Sequence, residues 1–370
     1  MLIIALIIIP IILLYTVLII RYSVGWRNVD GVSENSFTPK VSVVISMRNE
    51  EYEIARLLAN LESLIYPKEN LEIILINDHS DDDTLNLLRA ADLDNLQVFD
   101  MPEHKFGKKN AISMGVDIAR GDIILTTDAD CSFDDNWVHS MVSFFIDSNI
   151  KLVSGPVCFN KTKGIFQYFQ SLEFASLVGS GAGAIGIKNP IFCNGANMAY
   201  RRQAFLDVND SSNNHIASGD DVFLLHSIKA RYSDSIAFLK KKDAIVSTNS
   251  MENFLQFINQ RKRWVSKTNA YQDVASVYTA YLVFFTNLSF IFLFIMSFFS
   301  SHFFIFFAFF YFIKLIVDLL LLSPVLQFLG RKDLIKWIVI FELIYSFYII
   351  LVVILSLIKK FEWKGRMYKR

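Results

Sequence analysis

The chain has 370 residues, 53% of them hydrophobic and 14% aromatic with 34 phenylalanines, more than a water-solvated globule ordinarily carries, so part of it is expected to meet lipid. Lysine plus arginine and aspartate plus glutamate balance at 36 each, and net charge therefore gives no reason to expect a nucleic-acid partner. Three cysteines, Cys131, Cys158 and Cys193, stand far apart without a CxxC; they imply neither a disulfide framework nor a zinc site, and fit a reduced, cytosol-facing domain.

The first predicted element, Leu2 to Ile20, is an apolar run that ends at Arg21. About 20 such residues cross a hydrocarbon core of ~30 Å. The run lacks the basic leader and small-residue cleavage site of a secretory signal, so residues 1–21 read as a retained membrane anchor with Pro10 as a candidate kink, followed by a linker over 22–39. From residue 40 the pattern changes to short β-branched runs, "VSVVIS" (41–46), "LEIILIND" (71–78), "LQVFDM" (96–101) and "GDIILTTDAD" (121–130), separated by segments of helical spacing at Glu50 to Leu64 and Thr84 to Ala91. Continuous apolar strands alternating with helices predict βαβ units and a mainly parallel sheet, whose ligands sit at the carboxyl ends of the strands. Asp78 falls at the end of the second run, and Asp128 and Asp130 at the end of the fourth.

The lipid-like composition returns in 278–299, 302–323 and 334–358, which predict three further spans over 276–358, and the chain closes on a basic tail, 359–370. Lys314 and Asp318 lie inside the second of these at i, i+4, where pairing or a polar interior is favoured over contact with lipid. Arg21, Arg27 and the loop "GRKDLIK" (330–336) favour a cytosolic soluble part in a multi-pass protein of the plasma (inner) membrane. Four crossings would then put the basic tail outside, against the positive-inside tendency, unless one span lies at the interface.

Several short stretches carry chemistry. Asp128 and Asp130, two apart on an extended segment, would approach one hard cation together, and Mg2+ or Mn2+ prefers carboxylate oxygens combined with substrate phosphate; the plain alternative is a solvated turn. In "INDHSDDDT" (76–84), Asp81 to Asp83 read as a helix-capping loop and Asp78 as the better site candidate. Asp220 and Asp221 head a helical segment, where an acid serves either as a cap or as a general base toward a sugar hydroxyl. In "NQRKRWVSK" (259–267), Gln260, Arg263 and Trp264 share one helix face that joins an amide, a cation suited to phosphate and an indole platform for a sugar. The cluster Arg261 to Arg263, taken alone, reads as an interfacial anchor. The glycine-rich "GSGAGAIGIKNP" (179–190) reads as a flexible loop or close helix packing, with a mobile element near the acceptor path as the other possibility.

Taken in order, "VSVVISMRNEE" (41–51), "INDHSDDDT", "FGKKNAISMGVDIARGDIILTTDADC" (106–131), "GANMAYRR" (195–202), "SGDD" (218–221) and "QRKRW" (260–264) resemble the motifs of membrane-bound family 2 glycosyltransferases. That group includes synthases of cellulose, hyaluronan and poly-N-acetylglucosamine as well as lipid glycosyltransferases. The resemblance covers residues 40–270. It implies an α/β GT-A fold, Rossmann-like with a mainly parallel sheet, over 40–275, joined to transmembrane helices. It further implies an inverting enzyme with a nucleotide-sugar donor, a UDP- or GDP-sugar, a divalent metal, and a lipid or glycan acceptor.

By this resemblance Asp78 contacts the nucleoside and Lys108 the donor phosphates, while Asp128 and Asp130 form the DxD that binds metal and diphosphate. Asp221 stands where the family has its TED-like motif and is the implied base, and Asp220 beside it is implied in acceptor or diphosphate binding, although the motif here reads Gly219-Asp220-Asp221. Gln260, Arg263 and Trp264 match QxxRW, implied to close over the diphosphate and to help form the acceptor site. Three carboxy-terminal spans are few for a self-contained polymer pore, which would require an oligomer or a membrane partner. Transfer to a lipid-linked or glycan acceptor is therefore the leading expectation and processive polysaccharide synthesis the alternative. A non-catalytic scaffold is the remote one.

Overall fold

The fold is described by a computed structural model covering residues 2–29, 36–161, 163–208, 220–357, 360–363 and 366–369, with side chains from residue 4 onward except those of 220, 269 and 360–369. Helix α1 (Leu2–Asn28) opens the chain and continues past the predicted anchor. Strands β1 (Val41–Met47), β2 (Leu71–Asn77), β3 (Leu96–Asp100) and β4 (Ile123–Thr126) follow, linked through helices α2 (Ile54–Glu62), α3 (Thr84–Arg89) and α4 (Lys108–Ile118). Then come α5 (Trp137–Val142), β5 (Leu152–Ser154), β6 (Val157–Phe159), α6 (Ile165–Gly186), β7 (Met198–Arg201), α7 (Arg202–Val208) and α8 (Asp220–Arg231). Strands β8 (Ile236–Phe238) and β9 (Val246–Thr248) precede α9 (Phe254–Ser266), the long apolar helices α10 (Val274–Ser297), α11 (Ser301–Phe328) and α12 (Ile335–Ser356), and a hairpin of β10 (Lys360–Trp363) and β11 (Arg366–Lys369).

The main sheet runs β3-β2-β1-β4-β7-β5-β8. Strand β1 pairs in parallel with β2 and β4, and β2 with β3, as the apolar runs predict; β7 is antiparallel to both of its neighbours, so the sheet is mixed. Both faces of β1 and β2 are covered, and Val43, Val44, Ile45, Leu75 and Ile76 are all buried, which is why these strands show no polar alternation. This is the predicted α/β fold with apolar helices attached. Strand β4 ends at Thr126, so Asp128 and Asp130 lie beyond it, in a turn closed by Cys131 N donating to Asp128 O at 3.2 Å, and not on an extended segment.

The glycine-rich stretch 179–190 is helical for most of its length, as the end of α6. Its glycines let two backbones touch: a Cβ at Gly183 would stand 2.3 Å from Tyr22 O, one at Gly186 2.1 Å from Gly25 O, and one at Gly25 2.0 Å from Gly183 O. Of the two sequence readings, close helix packing is the one observed, in the small-residue manner of helices that pack at short range. The mobile-element reading is not supported for residues 179–186, because Gly183 and Gly186 are packed against α1, Gly179 against Val325 of α11 and Gly181 against Phe192.

Four helical stretches, Ile4–Asn28, Val274–Ser297, Ser301–Phe328 and Lys332–Ser356, are long and apolar enough to cross a membrane. Within them Lys314 and Asp318 pair at 2.9 Å, and Lys314 also bonds Glu342 of α12 while Tyr15 of α1 donates to Asp318 at 2.7 Å. Buried Lys314 therefore faces the helix interior, as its cost in lipid requires.

Candidate active site

Above the carboxyl ends of β1, β2 and β4 lies a cleft of 280 Å3. Asp78, Lys108, Asp128, Asp130, Asp221, Gln260, Arg263 and Trp264 all line it. These residues come from five separate stretches of sequence, and the strand ends, the start of α4, the start of α8 and one face of α9 bring them together. The side chain of Asp220, which opens α8, lies outside the described residues, as do Ser218 and Gly219.

Asp78 is buried and accepts from Gly107 N at 3.0 Å, which fixes it against the loop that begins α4. Arg48, at the end of β1, donates to Asp78 O at 3.0 Å and pairs with Asp81 at 2.7 Å. Asp82 caps Thr84 N at 3.1 Å and also accepts from Glu51 N at 3.2 Å, so the predicted capping loop additionally buckles the β2 end to the loop after β1. Lys108 Nζ lies 2.5 Å from Asp128 Oδ1, and Thr248 donates to Asp130 Oδ2 at 2.9 Å. The ammonium on Asp128 is a cation already seated at the pair of acids.

Asp221 is held from several sides. Gly195 N donates to Oδ2 at 3.0 Å, Val222 N to Oδ1 at 2.8 Å, and Lys267 Nζ stands 3.6 Å from Oδ1. Burial pushes this carboxyl up, but the ammonium groups of Lys267 and Lys108 and the two N–H donors outweigh it and hold the group below the ordinary carboxylate range. The peptide around Gly195 also ties Asp221 to the end of β4, since Thr126 Oγ1 donates to Gly195 O at 3.0 Å. Space is tight there: a Cβ at Gly195 would lie 3.3 Å from Asp221 Cβ and 3.7 Å from Lys108 Nζ.

Helix α9 presents Gln260, Arg263 and Trp264 to the cleft, as their spacing predicts. Lys267 follows at i+7 from Gln260 on the same face, and its role was missed although its position was legible. Arg261 corrects the reading of the basic cluster as an interfacial anchor. It is buried, bonds Glu173 of α6 at 2.5 and 3.1 Å, and stacks its guanidinium 4.2 Å from the Trp264 ring centroid. Tyr348 of α12 donates to the same carboxylate at 3.0 Å. One indole face is thus taken by Arg261. The cluster joins α9 to α6 and α12.

Two carboxylates on one wall, Asp128 and Asp130, fit a hard dication that keeps waters and takes phosphate oxygens as its remaining ligands. Among the described residues no group of three or more histidine, cysteine, aspartate or glutamate side chains forms a fuller cage. The chemistry available is therefore phosphate binding beside an ionised, oriented carboxylate.

Comparison with known proteins bears on this arrangement. Residues 42–208 match the model of Glycosyl transferase family 2. The chain is 30% identical over 200 residues, 51% of its length, to the poly-beta-1,6-N-acetyl-D-glucosamine synthase of Staphylococcus aureus, covering 45% of that protein. It is 36% identical over 115 residues, 30% of its length and 27% of the other, to a Bacillus subtilis protein named probable glycosyltransferase YdaM. The chain thus spans less than half the length of these curated relatives. Among solved structures, a mannosyltransferase of Pyrobaculum calidifontis in complex with GDP-Man and Mn2+ superposes with a TM-score of 0.62 at 16% identity, over 94% of this chain and 98% of the other, so the two share a fold through the apolar helices as well as the sheet. The residues gathered in this cleft thus sit in a fold shared with a glycosyltransferase, and residues 42–208 carry a segment that matches glycosyl transferase family 2.

Proposed function

We propose that the protein is a membrane-bound inverting glycosyltransferase that moves a sugar from a nucleotide-sugar donor to a lipid-linked or glycan acceptor. The observation that carries this reading is the convergence of Asp78, Lys108, Asp128, Asp130, Asp221, Gln260, Arg263 and Trp264 on a single cleft. In the proposed mechanism Asp78 binds the nucleoside, and Lys108 and Arg263 bind the diphosphate. A divalent ion held by Asp128 and Asp130 would supply charge stabilisation to the departing diphosphate. Asp221, ionised and oriented by the Gly195 and Val222 N–H groups, accepts the proton of the acceptor hydroxyl as that oxygen attacks the anomeric carbon opposite the leaving group, in one displacement with inversion. Gln260 and the open face of Trp264 hold the acceptor sugar.

The four apolar helices and the basic residues Arg21, Arg27 and Arg331 to Lys336 support a multi-pass location in the plasma (inner) membrane with the cleft on the cytosolic side. Processive polysaccharide synthesis is the second reading, favoured by the likeness to a poly-N-acetylglucosamine synthase. The deciding experiment incubates purified protein in lipid with Mg2+ or Mn2+ and labelled UDP- and GDP-sugars, then separates organic-extractable from polymeric product. A discrete lipid band supports single addition, and a high-mass ladder supports the synthase. In the same assay Asp221→Asn is expected to lose transfer by about 10²- to 10⁴-fold while keeping UDP or GDP binding. Wild-type transfer by that variant would overturn the assignment of the base, and no metal-dependent turnover of any donor would overturn the enzyme reading.

A further inference from the structure

A second cleft, of 870 Å3, opens on the far side of α8 and shares no lining residue with the first. One wall is the end of α1, with Leu18, Arg21 and Tyr22; the other is the start of α10, with Val274, Tyr278 and Thr279. Both helices are long and apolar enough to cross a membrane, and Tyr22 and Thr279 hydroxyls join them at 2.9 Å. Arg21 is the first charged residue after the apolar run of α1, so the cleft lies at the depth where a bilayer passes from hydrocarbon to headgroup.

The floor is polar, and its charges can be counted. Lys229 is satisfied by Asp273 at 2.6 Å, Asn189 Oδ1 at 2.7 Å and Pro190 O at 2.9 Å, and is neutralised by the first of these. Burial lowers the pKa of His226, which shares a 2.9 Å contact with Ser276 Oγ. The Arg21 guanidinium has no carboxylate partner among the described residues and is left as the uncompensated charge. At the mouth, Val274 and Tyr278 are 81% and 45% exposed, an apolar rim across from the cation on the α1 wall.

We propose that this cleft binds the phosphodiester headgroup of an anionic membrane lipid, with Arg21 as its charge partner and with the acyl chains lying along α1 and α10. The inference rests on the reading of α1 and α10 as membrane spans. The cleft reports to the other side of α8 through Tyr271, whose ring meets Phe223 at 5.7 Å and His226 at 5.2 Å and which lies in the electrostatic field of Asp221. A lipid seated here would brace the helix that carries Asp221.

The test titrates the full-length protein in neutral detergent with dioctanoyl-phosphatidylglycerol, dioctanoyl-phosphatidylcholine or inorganic phosphate and counts bound molecules by native mass spectrometry, with UDP and GDP binding followed in parallel. The first phosphatidylglycerol is expected to bind about fivefold or more tightly than phosphatidylcholine, with Arg21→Gln erasing that preference. Ala230→Trp, which fills the cleft from an exposed position of α8, is expected to weaken the phosphatidylglycerol site while leaving nucleotide binding intact. Equal binding of the two lipids, a preference that survives Arg21→Gln, or displacement of the lipid by an equal concentration of inorganic phosphate would each overturn the proposal. Nucleotide binding tests the glycosyltransferase reading separately.

Discussion

Lys267→Met removes the cation nearest the proposed base while keeping a side chain of similar length in a nearly buried place, 8% exposed. Two unit charges 3.6 Å apart attract by about 1 kcal/mol if screened as in bulk water and by roughly 4–5 kcal/mol at an effective dielectric of about 20. Each 1.36 kcal/mol is a tenfold change in an ionisation equilibrium, so these limits bracket a shift in the protonation balance of Asp221 from about fivefold to ~10³-fold. Lys108 and the two N–H donors remain, and the carboxylate is destabilised without being abolished. The assay is kcat/KM for transfer against pH in constant lipid. The acid limb, where Asp221 must lose its proton, is expected to move to higher pH in Lys267→Met, with the plateau near neutrality reduced less. Thermal unfolding supplies a second readout. A carboxyl held low in the folded state stabilises it above the unfolded pKa of about 3.9, and that stability is lost as pH falls through the folded value, so the variant's deficit should be largest near neutrality and close in acid. A uniform loss of activity at every pH with an unmoved acid limb would refute the argument and leave Lys267 a packing residue.

Three further outcomes follow from other contacts. Asp128→Ala is expected to remove the metal dependence of donor binding, measured as UDP or GDP affinity with and without Mn2+, because the wall loses one of its two carboxylates. Arg261→Met strands Glu173 in the interior and should destabilise the protein by about 3–5 kcal/mol, with much of the loss recovered in Arg261→Met/Glu173→Leu; unfolding in denaturant reads both. Gly183→Val drives two methyl groups toward Tyr22 O, so α1 should separate from α6, seen as faster proteolysis and a lower unfolding temperature.

The parts of the site that were legible in the sequence are those set by a local period. An apolar run that ends in an acid announces a strand carrying a residue to its carboxyl end, and Asp78 is found at such an end. Helical spacing put Gln260, Arg263 and Trp264 on one face, and the same spacing reached Lys267, whose partner Asp221 lies 46 residues away and is signalled by no period. Arg261 was misread for the same reason, since Glu173 is 88 residues upstream on another helix and a basic cluster without a visible partner looks like a surface feature. Glycines weaken an isolated helix, so residues 179–190 left a flexible loop and close helix packing both open; what decides for packing is the backbone of α1, more than 150 residues earlier in the chain. Asp128 and Asp130 read as extended because they continue the apolar run of β4, but that strand loses its ladder at Thr126, opposite Met198 where β7 begins.

The contact between α1 and α6 also governs how the protein can be handled. Trp26 near the end of α1 lies against Phe238 and Phe328, and Lys240 donates to Trp26 O at 2.9 Å, so the first helix is wedged between the sheet domain and the later helices. Cutting it away to obtain a water-soluble protein would bare a glycine furrow along α6, where Gly183 and Gly186 meet the backbone of Tyr22 and Gly25. Solubilisation with detergent, keeping residues 1–29 in place, is the preparation this architecture allows.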